Sequence, residues 1–257
     1  MTDTYGDNSW IVVHNPNFAA KLRLFCFPFV GGDPRAFVRW AHDLPLTVEV
    51  CALNFPGRGT RFREPLFTQI NPLIDAIMPA LYPYLDRPFV FFGHSMGSIL
   101  SFEVARRLRR ERGLSPLYLF ISARHAPQRK HSDPPSYSLP QAQFIERLRM
   151  LKGTPEELLQ NPELMRLVSV ILRADFEIND NYLYSAEPPL AASIKAYGGL
   201  DDPYITRTDL EAWQEQTSGS FSVEMLPGGH FFTESAHDLL MESIRATLQS
   251  LLSDFSG

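Results

Sequence analysis

Phe89-Val90-Phe91-Phe92-Gly93-His94-Ser95-Met96-Gly97-Ser98 decides the fold. Four apolar residues, Phe89 to Phe92, read as a buried strand. Gly93 to Gly97 then fits G-x-S-x-G, and apolar residues at helical spacing follow at once: Ile99, Phe102, Val104 and Leu108. A strand, a tight turn and a helix in that order are the setting of a nucleophile elbow, in which the serine stands clear at the strand's end. The turn requires small neighbours, and Gly93 and Gly97 let the strand and helix backbones approach. Ser98, Ser101 and Ala105 extend a small-residue stripe along the helix face that would meet the sheet.

The same rhythm spreads outward in both directions. Upstream, Trp10–His14, Leu22–Phe27 and Val48–Leu53 read as strands, with helices expected from about Arg35 to Asp43 and from Pro72 to Leu85. Pro79 predicts a kink or break in the second. The elbow helix is expected to run to Arg112 and stop at Gly113. Downstream, Leu117–Ser122, Ser193–Tyr197 and Phe221–Leu226 read as strands, with helices at Arg207–Gln216 and Ala236–Leu252. Alternation of this kind predicts a mostly parallel sheet with helices on both faces. The stretch from about 127 to 189 breaks it: no strand, a proline-bearing connection (Asp133-Pro134-Pro135), then helices near Gln141–Leu151, Glu156–Gln160 and Glu163–Ile178. Leu164, Leu167, Val168, Ile171 and Leu172 form an apolar stripe in the last. The stretch reads as an insertion at the carboxyl edge of the sheet, where ligands of such folds bind. Residues 1–257 are therefore read as one α/β domain with a helical insertion.

Bulk properties narrow the function classes. The 257 residues are 44% hydrophobic, as in a globular protein, and the net charge of −5 gives no reason to expect a nucleic-acid partner. No apolar run is long enough to span a bilayer. Met1–Ser9 lacks a charged-then-apolar pattern, so a cytoplasmic, soluble protein is expected. Cys26 and Cys51 sit in apolar runs without metal-ligand spacing and read as small buried hydrophobes in a reducing compartment, with a disulfide as the less favoured alternative.

A serine hydroxyl attacks a carbonyl only when a base takes its proton and a third group holds that base in the right tautomer. Behind an elbow of this type the chain order is serine, acid, histidine. Both partners follow Ser95, each directly after a strand: Gly198-Gly199-Leu200-Asp201-Asp202-Pro203 and Pro227-Gly228-Gly229-His230-Phe231-Phe232. His230 is the candidate base. Asp202 is chosen over Asp201 as the acid, because Pro203 fixes the turn behind it, although a one-residue shift of the loop would exchange them. An oxyanion needs backbone N–H donors. Met96, after the nucleophile, is one candidate. The loop Phe27-Pro28-Phe29-Val30-Gly31-Gly32-Asp33 supplies the other, with Phe29 first and Val30 the near alternative, since Pro28 has no N–H.

Four segments together carry a more specific signal: Phe25–Gly32, Phe55-Pro56-Gly57-Arg58-Gly59, Phe92–Gly97 and Pro227–Phe231. With them the chain resembles the type II (external) thioesterases that accompany modular polyketide and non-ribosomal peptide synthetases, from about Leu22 to the final helix. The resemblance implies an α/β-hydrolase fold and hydrolysis of acyl groups, aberrant or stalled, from the phosphopantetheine arm of an acyl or peptidyl carrier protein. It implies that the inserted helices are a lid over the acyl pocket, and that no metal or cofactor is needed. Val30 and Asp33 depart from the family's habit of a small residue before the glycines and no acid after them. A medium-chain fatty acyl thioesterase or a carboxylesterase would use the same triad, and a non-catalytic carrier-binding protein is the reading from another class.

Further residues are candidates for substrate or lid contacts. His94 is adjacent to the nucleophile but reads mainly as a packing residue. Phe144, Phe176, Tyr182 and Tyr184 are candidates for lining an acyl pocket, with packing of the inserted helices onto the core an equal alternative. Arg106, Arg107, Arg109, Arg110 and Arg112 read as a solvated helix end favoured by the helix dipole, with a docking patch for an acidic carrier as the alternative. His125 and His131 receive no role. A monomer is expected.

Overall fold

Leu22–Phe27 shows why the sheet forms: all six residues are buried, and the five apolar ones divide between two cores. Phe25 and Phe27 point to one face, Leu22, Leu24 and Cys26 to the other, the two-residue period of a strand buried on both sides. In the computed structural model, which describes residues 8–129 and 134–254, this strand is β2. The others are β1 (Ile11–Val13), β3 (Val48–Leu53), β4 (Phe89–His94), β5 (Tyr118–Ser122), β6 (Ser193–Gly199) and β7 (Phe221–Leu226). They hydrogen-bond in the order β1-β3-β2-β4-β5-β6-β7, with β1 antiparallel and the rest parallel.

The helices are α1 (Val38–Asp43), α2 (Ile70–Leu81), α3 (Met96–Arg112), α4 (Gln141–Leu151), α5 (Glu156–Leu159), α6 (Pro162–Asp180), α7 (Arg207–Glu211), α8 (Phe232–Ser235) and α9 (His237–Asp254). α2, α3 and α7 pack on the face that Phe25 and Phe91 present, through residues such as Ile77, Phe102 and Leu210. α1, α8 and α9 cover the other, through Trp40, Phe232 and Ile244. Both faces of the sheet are thus closed, as the alternation predicts.

Differences from the sequence reading have local causes. α2 runs through Pro79, which lies on its exposed side near the C-terminal end, so the lost N–H removes little; the chain tightens into a 3-10 turn at Tyr82–Tyr84. The segment expected as one helix from Arg207 to Gln216 is α7 followed by a 3-10 stretch, Ala212–Gln216. α8 was not foreseen, because four residues carry no periodicity. α3 does end at Gly113, which takes the left-handed conformation that a non-glycine residue resists (φ 62°).

α4, α5 and α6 lie between β5 and β6 and hold a small core of their own: Phe144, Leu148, Leu159, Met165, Leu172 and Phe176. The stripe expected on α6 is rotated. Met165, Ser169, Leu172 and Phe176 face inward, whereas Leu164 and Leu167 are exposed. α6 is apolar on more than one side, so its periodicity did not fix which side packs. The basic run on α3 is not an open patch either. Arg106, Arg109 and Arg110 all pair with Glu187, and Arg107 with Asp75 and Glu111. It fastens the chain leading into β6 onto the elbow helix. No helix among the described residues is long and apolar enough to cross a membrane. Cys26 and Cys51 are buried thiols, pushed up from the usual thiol range chiefly by burial.

Candidate active site

Because β2, β4, β6 and β7 are parallel, the loops after them open at one edge of the sheet, and the sequence candidates meet there. Ser95 follows β4 directly and adopts φ 53°, ψ −113°, a conformation that costs roughly 1–3 kcal/mol for a non-glycine residue. The surroundings enforce it. Ser95 N–H donates to Ser122 O at 2.8 Å. Ser98 Oγ lies 2.7 Å from Gly93 O and accepts Ser122 N–H at 3.1 Å, tying the first turn of α3 to the ends of β4 and β5. A methyl group on Gly97 would stand 2.0 Å from Phe27 O, and one on Gly93 would stand 2.2 Å from Gly97 O. Both glycines are therefore dictated by backbone contact.

His230 Nε2 lies 3.1 Å from Ser95 Oγ, and Nδ1 lies 2.8 Å from Asp202 Oδ2. With Nδ1–H donated to the carboxylate, Nε2 is left free to accept the serine proton. Asp202 is shut off from solvent at its side chain, and its Oδ1 accepts Tyr204 N–H at 2.9 Å. Asp201 is exposed, and its backbone N–H donates to Gly228 O at 2.9 Å. That bond draws the acid loop onto the histidine loop, a contact so close that a methyl group on Gly199 would stand 2.2 Å from Gly229 O.

The loop after β2 narrows the choice of oxyanion donors. Gly31 N–H donates to Asp175 Oδ2 at 2.7 Å, and Gly32 N–H donates to Phe29 O at 2.8 Å. Phe29 and Val30 keep N–H groups without an acceptor among the described residues, and both residues line the cavity beside Ser95, which Asp33 does not. Met96 opens the 17-residue α3, where an N–H has no intrahelical acceptor and the helix dipole is positive.

The sequence reading did not see what holds this loop. Arg58, from Phe55–Gly59, donates through Nε to Gly32 O at 3.2 Å and through Nη1 to Pro56 O at 2.7 Å, and its Nη2 pairs with Asp175. Asp175 comes from α6, and both side chains are 5% exposed. Burial pushes the Asp175 carboxyl up even though Arg58 and Gly31 N–H pull it down. The pair therefore serves to hold geometry more than to add stability. One signal was present: a lone acid between Ala174 and Phe176 on the buried side of a helix. Asp175→Ala, which leaves Arg58 buried and unpaired, is expected to cost about 3–5 kcal/mol in urea unfolding. A loss below about 1 kcal/mol, the scale of a surface pair, would sink this account.

Ser95 and His230 open into a cavity of about 640 Å³ between the sheet edge and α4–α6. Phe176, Tyr182 and Tyr184 line it, as expected. Two candidates do not. Phe144 is completely buried behind the wall, edge-on to Phe176 at 5.8 Å, because α4 turns it into the insertion's own core. His94 lies beneath the site, not in it: its Nδ1 is 2.8 Å from Ser122 Oγ and its ring packs against Phe29 and Phe231. Burial, then the neighbouring His230, hold His94 well below the usual imidazole range, so it stays neutral. His125 lines the cavity, and His131 lies outside the described residues. Among the described residues there is no cluster of side chains that could hold a metal ion.

Residues 22–248 match the family model of the thioesterase domain. The gramicidin S biosynthesis protein GrsT of Aneurinibacillus migulanus is 44% identical over 91% of each chain. The human medium-chain S-acyl fatty acid synthase thioesterase is 34% identical over 93% of this chain and 92% of its own. The type II thioesterase BorB from the borrelidin biosynthetic cluster superposes with a TM-score of 0.84 at 32% identity, covering 95% of this chain and 97% of that one.

Proposed function

The chain belongs to the thioesterase family and is an enzyme acting on thioesters, and from that premise we propose a type II thioesterase that clears acyl groups from carrier proteins of polyketide or non-ribosomal peptide assembly. The observation that carries the reading is the hydrogen-bonded line Ser95–His230–Asp202 at the mouth of an acyl-sized cavity.

His230 Nε2 takes the Ser95 proton as Oγ attacks the thioester carbonyl. The buried Asp202 carboxylate stabilises the imidazolium and keeps Nδ1 protonated. The N–H groups of Met96 and of Phe29 or Val30 receive the oxyanion. The tetrahedral adduct expels the phosphopantetheine thiol, which takes its proton from His230. Water, deprotonated by the same nitrogen, then cleaves the acyl-enzyme and frees Ser95. A thioester is already activated, so these steps ask for no cofactor. The helical insertion, about residues 127–189, acts as the lid over the acyl group. We place this monomeric enzyme in the cytoplasm, with an acyl- or peptidyl-carrier protein as its partner.

A fatty acyl thioesterase is the second reading, kept because of the likeness to the human enzyme. Hydrolysis of acetyl and propionyl groups on a carrier protein, on free pantetheine and on coenzyme A separates the two. The carrier-bound thioester is expected to lead by at least tenfold in kcat/KM, about 1.4 kcal/mol of recognition by the carrier surface. Equal rates on all three, or a preference for longer free acyl thioesters, would transfer the assignment to the second reading.

A further inference from the structure

Among the described residues three arginines line the cavity, and two have their charge met there. Arg129 pairs with Asp209 at 3.0 Å, and Arg147 lies over the Tyr204 ring at 4.2 Å. Arg124 does not. It is 8% exposed and has no carboxylate within 4.0 Å among the described residues. Nη1 donates to Asn179 Oδ1 at 2.6 Å, and Nε is buried without an acceptor. The acid it senses is Asp180, whose oxygens already accept Ser136 N–H at 2.6 Å and Asn179 Nδ2–H at 3.1 Å. Burial pulls the Arg124 guanidinium down to about 10, which leaves it charged at neutral pH.

Its place in the chain is equally specific. Ser122 accepts the N–H of Ser95, and the next residue, Ala123, takes the left-handed conformation (φ 50°) with its own N–H donated to Tyr197 O. That turn carries Arg124 off the end of β5 and onto the cavity wall, two residues from the nucleophile's hydrogen-bond partner. A buried cation without a counter-ion is costly, and a guanidinium fork matches a carboxylate better than any other common group. The phosphate of a phosphopantetheine arm would sit a full arm's length from the thioester, so a carboxylate on the acyl chain is the better match for a residue lining the same cavity as Ser95 and His230.

We propose that Arg124 is a specificity residue that receives a carboxylate on the acyl chain, so that the enzyme favours half-thioesters of short dicarboxylic acids over alkyl acyl groups. This rests on the acyl-thioesterase reading above. Asn179 acts as the positioning residue, fixing the guanidinium through Nη1.

The test is a set of carrier-bound malonyl, glutaryl and adipyl thioesters, each beside its terminal amide and its alkyl counterpart of equal length. Spontaneous loss is subtracted with Ser95→Ala protein. At the best chain length the acid is expected to exceed its amide by at least about 30-fold in kcat/KM, the scale of one desolvated charge pair. Arg124→Gln is expected to bring that ratio to within about threefold of unity, and Arg124→Lys to retain part of it. If Arg124→Gln does not fold, the acid-to-amide ratio of the unaltered enzyme decides. Equal rates on acid and amide at every length, or a preference that survives Arg124→Gln, overturn the inference while the alkyl rates keep the thioesterase reading. Failure on every thioester overturns both.

Discussion

Ser95→Ala is expected to lower kcat by roughly 10⁵–10⁶-fold, the loss seen when the nucleophile of a serine triad is removed. The oxyanion donors remain and sustain a residual rate above that in water. Folding should be spared, because Ser95 Oγ has one hydrogen-bond partner, His230, and the strained backbone is held by Ser95 N–H on Ser122 O and by the glycines around it. Two readouts check this. A fluorophosphonate probe should label the native protein at Ser95 and leave the variant unlabelled, and mass spectrometry during turnover should show the acyl group on the native chain alone. A variant retaining more than about a thousandth of the native rate would mean that water attacks directly, with His230 as its base and no acyl-enzyme.

Asp202→Asn is expected to cost about 10⁴-fold in kcat, and Asp201→Asn only a few-fold at most. The asymmetry follows from the atoms each acid touches. In the variant the amide oxygen would keep the bond from Tyr204 N–H, which turns the NH₂ group toward His230 Nδ1. A donor there forces Nδ1 to accept, so the ring proton moves to Nε2 and that nitrogen no longer takes the serine proton. The fold and the cavity survive, and KM should change far less than kcat. Asp201 is exposed and joined to the site through its backbone N–H on Gly228 O, which an asparagine preserves. Comparable losses in the two variants would remove the distinction between the acids, and a larger loss at Asp201 would exchange them.

The candidates Ser95, Asp202 and His230 were legible because each follows a strand that pattern alone reveals, and parallel strands bring their trailing loops to one edge. Asp202 was less so: what separates it from Asp201 is the bond from Tyr204 and the Asp201–Gly228 contact, neither of which spacing encodes. Phe144 and Phe176 show where pattern stops. Both are aromatic residues on insertion helices, and only the packing of α4 against α6 decides that one ring faces the cavity and the other stands behind it. Asp175 and Arg58 lie 117 residues apart, and the Phe55–Gly59 segment read as a turn because its arginine's partner comes from a helix far along the chain.

The Asp175 link also bears on how such enzymes diversify. The insertion that walls the cavity beside Ser95 is physically continuous with the support for the loop of Phe29 and Val30. Substrate range and chemical competence are thus not separable modules here. A chimera that imports the helices of a relative imports or discards the anchor of the catalytic loop with them. Exchange of acyl preference by grafting must carry the acid of α6 and the arginine after β3 as a matched pair, or it will yield folded proteins with open cavities and slow chemistry.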